Sequence, residues 1–198
     1  MDADSTKINL LFTINGMNVV LGWNTVLAAL DYFQASFSSF NVYSILPVPV
    51  FVGYMVIGIN YHTLSNKFKH LSLLTFGSIG INIGLVCILI VSLLLKDTVL
   101  GFGLLICCAF GIGMSSNTFQ LTILSIVNYL SRSVVSKYTI GTALSGLSVN
   151  ILRVIILAIA GANNKSVLPI VIYFATAMTF NLTDLFLNVR FIKSEIYH

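Results

Sequence analysis

The sequence predicts an all-α fold: a polytopic membrane helix bundle with six transmembrane helices in one domain, residues 1–198. Three observations lead there. Hydrophobic residues make up 57% of the chain and charged residues only 8%, whereas a soluble domain of this size needs far more charge on its surface. The apolar runs reach the roughly 20 residues that one bilayer crossing requires. Between the runs lie short polar breaks, and short connections favour antiparallel neighbours.

The spans fall at roughly 8–34, 43–64, 71–95, 99–129, 138–161 and 167–190. The first break is Ser36-Phe37-Ser38-Ser39, and the second runs from Ser65 to His70. Lys96-Asp97 makes the third, the stretch from Ser131 to Lys137 the fourth, and Asn163-Asn164-Lys165 the fifth. Pro47 and Pro49 fall in the first turns of the second span and are expected to bend it or delay its start. The fourth span is long enough to tilt or to end in a surface turn near Asn128. Pro169 opens the sixth, where its missing N–H costs nothing.

Charge sets the expected orientation. With the N-terminus inside, Lys7, Lys67, Lys69, Arg132, Lys137, Arg190 and Lys193 all fall on the inner side, and only Lys96 and Lys165 on the outer. That asymmetry places both termini on the inner side, which is the cytoplasm, or the matrix if the membrane is the mitochondrial inner one. The first apolar run is too long for a signal-peptide core, and Asp2 and Asp4 argue against a transit peptide. The sequon Asn164-Lys165-Ser166 lies too close to the membrane to be used. Cationic residues scattered over short loops make no nucleic-acid surface. Cys87, Cys107 and Cys108 sit inside spans at spacings that suit neither zinc nor a disulfide framework, so they read as small apolar side chains.

Polar residues inside the spans should face protein or a water-filled cavity. Asn15, Asn18, Gly22 and Thr25 share one face of the first span, with the sole Trp, Trp23, near its middle. Gly113, Asn117, Gln120, Leu124 and Asn128 share a face of the fourth, and Thr142, Gly146, Asn150 and Arg153 a face of the fifth. Each face reads as a cavity wall or as a helix-packing stripe. Gly77, Gly80 and Gly84 in the third span, together with Gly146, read as close-packing positions. Arg153 is expensive at membrane depth unless paired. Asp31 lies at a compatible height, about one helical turn away at 1.5 Å per residue, so an Asp31–Arg153 pair is expected. Asp184 is expected to pair with inner-loop cations beside Arg190.

Trp23-Asn24 followed by Asp31-Tyr32-Phe33 resembles the first-helix signature of the equilibrative nucleoside transporter family. Lys137-Tyr138-Thr139, Ser145-Gly146 and Leu152-Arg153 are similar to that family's fifth helix, and Gln120 looks like its fourth-helix glutamine. The resemblance runs over the whole chain but matches only the first six of the family's eleven helices. It implies the N-terminal half of a major-facilitator-like transporter, with Asn18, Trp23, Asn24, Gln120 and Asn150 as substrate-binding residues if the chain transports. Gly22 stands where the family has proline. The interval from Gln120 to Tyr138 is about one turn long, so either Gln120 has drifted or Leu124 takes its slot. The chain shows no second half and no internal repeat to supply one, and a lone six-helix bundle has no opposing wall for a midplane site.

Two functions are therefore expected to compete. One is a non-enzymatic structural or accessory subunit of a larger membrane complex, derived from a transporter half. The other is a half-transporter that carries nucleosides or nucleobases by facilitated diffusion as a homo- or hetero-dimer. The partners are the lipid bilayer and other membrane subunits, with a nucleoside only in the second case and no nucleic acid in either. No cofactor or metal is expected. An enzyme is not expected, because the spans hold no His-Glu-x-x-His, no Asp pair and no Ser-His arrangement, and His62 and His70 flank one loop as interfacial residues.

Overall fold

The computed structural model describes residues 3–160 and 167–193. The fifth break, with Asn164 and Lys165, and the chain ends lie outside the described residues. Among those described there are helices and no strand: α1 (Ala3–Val19), α2 (Leu21–Ala28), α3 (Leu30–Ser36), α4 (Val42–Ile45), α5 (Pro47–Lys67), α6 (His70–Leu94), α7 (Val99–Val127), α8 (Arg132–Ala160) and α9 (Val167–Phe191). Among the described residues, five segments are long and apolar enough to cross a membrane, and six if the bent pair α1–α2 counts as one span. This is a multi-pass membrane helix bundle.

The first span departs from the single rod expected over 8–34. It breaks at Val20 and again at Ala29, where φ and ψ sit near −100° and 0°, and α2 turns 41° from α1. No proline is present to force this. The chain carries on because Asn24 N–H still reaches the Val20 carbonyl at 2.9 Å and the Thr25 hydroxyl takes the Leu21 carbonyl at 2.7 Å. The two prolines expected to bend the second span or delay its start lie at the head of the long helix: Pro47 opens α5, and one separate turn, α4, precedes it. Asn41 caps that turn by accepting from Ser44 N–H at 3.3 Å. The fifth span begins at Arg132 and not at 138, so Lys137 rides on α8 and not in a loop.

Inside lipid the hydrophobic effect does not drive helices together; packing and hydrogen bonds do. The packing is dense. Phe12, Phe33, Phe37, Phe119 and Phe174 are fully buried, with Phe33 edge-on to Phe174 at 6.3 Å between ring centres. Close helix crossings rest on glycine. A Cβ on Gly16 would collide with the Tyr138 carbonyl, and one on Gly141 with the Thr13 carbonyl, so α1 and α8 meet backbone to backbone. The α5–α7 crossing repeats the arrangement: a Cβ on Gly53 would lie 2.5 Å from the Phe110 carbonyl oxygen, and one on Gly113 would collide with the Val50 carbonyl. In both crossings each glycine opposes the carbonyl three residues before its partner glycine.

This correspondence extends further. Gly113 follows Gly16 by 97 positions (16 to 113), and α9 follows α6 by the same interval at both ends (70 to 167, 94 to 191). The α1–α8 and α5–α7 crossings share the glycine-to-carbonyl geometry but not that interval, since Gly53 and Gly141 are 88 positions apart. The likeness stops there: α6 packs on α9 and extensively on α7, whereas α1 touches α9 far less.

Gly77 and Gly80 approach α7 closely. A Cβ on Gly77 would lie 2.9 Å from both Phe119 N and the Ser115 carbonyl, and one on Gly80 would lie 2.9 Å from Ser115 Cβ. Gly84 is held tight against Ile112. Gly146 is different. Its added Cβ would stand 4.0 Å from Asn24 Nδ2, an ordinary contact, so Gly146 does not set a close approach.

Candidate functional site: a buried amide–carboxyl centre

Asn181, Asp184 and Asn188 recur at i, i+3 and i+7 on α9. That spacing puts them on one helix face, and all three are buried, with Asp184 at 0% exposure. The face meets α1, which brings Asn15 and Asn18, and α6, which brings Ser78; these too are buried. Asn18 Nδ2 donates to Asp184 Oδ2 at 2.7 Å and to Asn181 Oδ1 at 3.0 Å. Ser78 Oγ donates to Asn181 Oδ1 at 2.9 Å, and Asn181 Nδ2 returns a bond to the Ser78 carbonyl at 3.0 Å. Asn188 Nδ2 reaches the Asp184 carbonyl at 2.9 Å and Asp184 Oδ1 at 3.3 Å. Asn15 and Asn188 pair amide to amide, with Asn15 Nδ2 donating to Asn188 Oδ1 at 3.0 Å and Asn188 Nδ2 donating to Asn15 Oδ1.

The centre corrects the expectation for Asp184. Its partners are not inner-loop cations but amides from α1 and α9, and Arg190, the cation nearest in sequence, is exposed. Only Asn18 of this set was a candidate binding residue. The i, i+3, i+7 spacing on α9 is visible in the sequence, but Asp184 lies only two turns from the C-terminal end of α9 and invites a surface reading.

The other candidates occupy different places. Asp31 and Arg153 form an ion pair between α3 and α8, half-exposed at 44% and 36% of their side chains. Asp31 also accepts from Tyr43 OH at 2.7 Å. Trp23 is half-buried and packs edge-on against Phe51, 5.6 Å between ring centres. Asn24 donates to Ser145 Oγ at 3.3 Å across the α2–α8 contact. One turn away Asn150 is exposed and turns its amide back to its own helix, donating to the Gly146 carbonyl at 2.8 Å. Gln120 is half-buried on α7. Asn24 and Asn150 thus bond to the adjacent residues Ser145 and Gly146 of α8, and Asn18 is held in the polar centre.

A cavity of about 150 Å³ lies between α1, α2, α8 and α9, lined by Leu21, Thr25, Ser145, Ser148, Tyr173 and Thr176 among others. None of the five candidate binding residues lines it. Pockets that hold drug-sized molecules measure roughly 300–1,000 Å³, so this one is too small for a nucleoside as it stands. No protein-family model matches the chain, and no curated protein matches it.

Proposed function

We propose that the chain is a membrane-embedded, non-enzymatic structural or accessory subunit of a larger membrane complex, derived from the N-terminal half of a nucleoside-transporter-like protein of the major-facilitator type. One observation carries the reading. Asn18, the most buried of the five candidate binding residues, spends its amide N–H groups on Asp184 and Asn181 and serves the fold's own interior. Two further features support it. The like glycine crossings of α1 with α8 and of α5 with α7 fit three-helix repeats within a transporter half. The polar strip of α8 that includes Thr139 and Asn150 is exposed, and polar groups at membrane depth favour a protein neighbour over lipid.

Both termini face the inner compartment in this reading, because the inner loops carry most of the Lys and Arg. The compartment is the cytoplasm, or the matrix for a mitochondrial inner-membrane protein. Gentle extraction from the native membrane tests the proposal. A discrete complex of fixed composition with other membrane subunits is expected.

The break at Val20 and Ala29 favours a second reading, since transporter sites use discontinuous helices. A half-transporter would pair with a copy of itself or with another half and move nucleosides or nucleobases across the seam. Isolation of a homodimer without other subunits, together with saturable nucleoside uptake, would establish it over the first.

A further inference from the structure

The contact between Asp184 and Asn15 has an unusual geometry. The Asn15 Oδ1 position lies 2.7 Å from Asp184 Oδ1. Two bare acceptors repel at that distance, and two arrangements remove the conflict. In the first, the carboxyl is ionised and the Asn15 amide turns to present Nδ2 to it. In the second, the carboxyl is neutral, and its O–H donates to Asn15 Oδ1 at a distance that is the usual O–H···O length.

The neighbours decide between them. Turning Asn15 sets its Nδ2 against Asn188 Nδ2, donor to donor, and destroys the reciprocal amide pair between the two residues. Turning Asn188 as well would set its carbonyl oxygen against the Asp184 backbone carbonyl, to which its Nδ2 now donates at 2.9 Å. The ionised arrangement cannot satisfy all three groups at once. The neutral one satisfies them together. Asp184 Oδ1–H donates to Asn15, Asn15 and Asn188 keep both mutual bonds, and Asn18 donates to Asp184 Oδ2 at 2.7 Å.

We infer that this centre is a proton-binding site, in which one proton from the aqueous phase is held on Asp184 Oδ1 and shared with Asn15 Oδ1. Uptake forms the Oδ1–H bond, and release returns the proton to water. Release also forces Asn15 to turn and breaks the amide pair that joins α1 to α9, so occupancy by the proton is coupled to that helix contact.

The charged and titratable groups of the surrounding helices are placed elsewhere. On α1, Lys7 is exposed; α2 carries none; on α6, His70 is half-buried at the first residue and Cys87 is half-buried. On α8, Arg132 and Lys137 are exposed, Tyr138 is buried, and Arg153 is paired with Asp31. On α9 itself, Tyr173 is buried and Arg190 exposed. The groups bonded to the Asp184 carboxyl are amides. An ionised carboxylate without a counter-charge is costly in a bundle core, and the added proton removes that cost.

The test is infrared spectroscopy of the purified full chain in lipid nanodiscs at neutral pH, in H2O and D2O. The carbonyl stretch of a protonated carboxyl is expected. It should shift in D2O, persist in Asp31→Asn and Asp97→Asn, and vanish in Asp184→Asn. Absence of that band from the wild-type protein overturns the proposal, and this outcome does not depend on any variant folding. A carboxylate band that shifts when Na+ replaces choline in the buffer would assign the centre to a metal cation and overturn it equally. Thermal unfolding gives a second reading. Asp184→Asn keeps a donor toward Asn15 and should unfold within a few degrees of wild type, while Asp184→Ala should unfold well below it. Equal loss in both variants would mean that a negative charge is needed there, against the proposal.

Discussion

The seams α6–α7 and α1–α9 are held by different chemistry. At α6–α7 the row Gly77, Gly80 and Gly84 lets two backbones close to contact distance, and the nearest atoms are the main chain of Phe119 and the side chains of Ser115 and Ile112. At α1–α9, Asn15, Asn18, Asn181, Asp184 and Asn188 meet through side-chain hydrogen bonds. One seam is closed by removing side-chain volume and the other by matching donors to acceptors. The first should be sensitive to added volume, and the second to the loss of hydrogen-bonding groups. Within lipid both are legitimate ways to join helices, since neither relies on excluding water.

The largest expected effect breaks the glycine seam. Gly77→Leu places a side chain against backbone that cannot move aside, and overpacking of this kind costs about 3 kcal/mol. Thermal unfolding in detergent should show it, and an unchanged midpoint would mean the helices do not pack this closely. Next comes the polar seam. Asp184→Ala strands the amides of Asn18 and Asn15 in the interior, at a cost of about 2 kcal/mol for unsatisfied buried groups. A loss below that of an exposed Leu182→Ala control would remove the polar centre from any structural role.

A smaller effect is expected where a charge pair lies outside both seams. Asp31 and Arg153 are more than a third exposed, so a double-mutant cycle with Asp31→Asn and Arg153→Leu should give a coupling of about 0.5 kcal/mol. Strict additivity would show that the pair contributes nothing. The smallest belongs to the loop between α6 and α7. Ser39 N–H and Ser39 Oγ each donate to the Asp97 carboxylate at 2.9 Å, which lowers its pKa below the ordinary 3.8. A lowered carboxylate favours the fold above its unfolded pKa, and the contribution disappears as pH falls through the folded value. Acid titration of the unfolding midpoint should therefore show a decline below about pH 4 that Asp97→Asn lacks, and identical curves would discount the clasp.

The helical membrane character was legible because composition and run length report it directly. The Asp31–Arg153 contact could be anticipated because two costly charges at similar heights have few alternatives. The break at Val20 could not, since no proline or glycine pair marks it and the hydrogen bonds of Asn24 and Thr25 bridge it locally. The two glycine crossings escaped for a related reason. They are written in single glycines, Gly16 with Gly141 and Gly53 with Gly113, set against carbonyl oxygens that every residue possesses. The polar centre was half visible: Asn15 and Asn18 share a face in the sequence, but nothing in it says that α9 supplies the facing carboxyl. Arg190, six residues on, offered a simpler partner for Asp184 that the fold does not use.

The account's central claim is that the interior of this bundle serves its own packing, and that Asn18, Trp23, Asn24, Gln120 and Asn150 do not form one substrate path. Uridine and adenosine uptake by verified monomer in liposomes tests it most directly. The account predicts no saturable uptake, and no change on replacing Trp23 or Gln120 by Ala. Saturable uptake by the monomer that falls with Trp23→Ala or Gln120→Ala would contradict it.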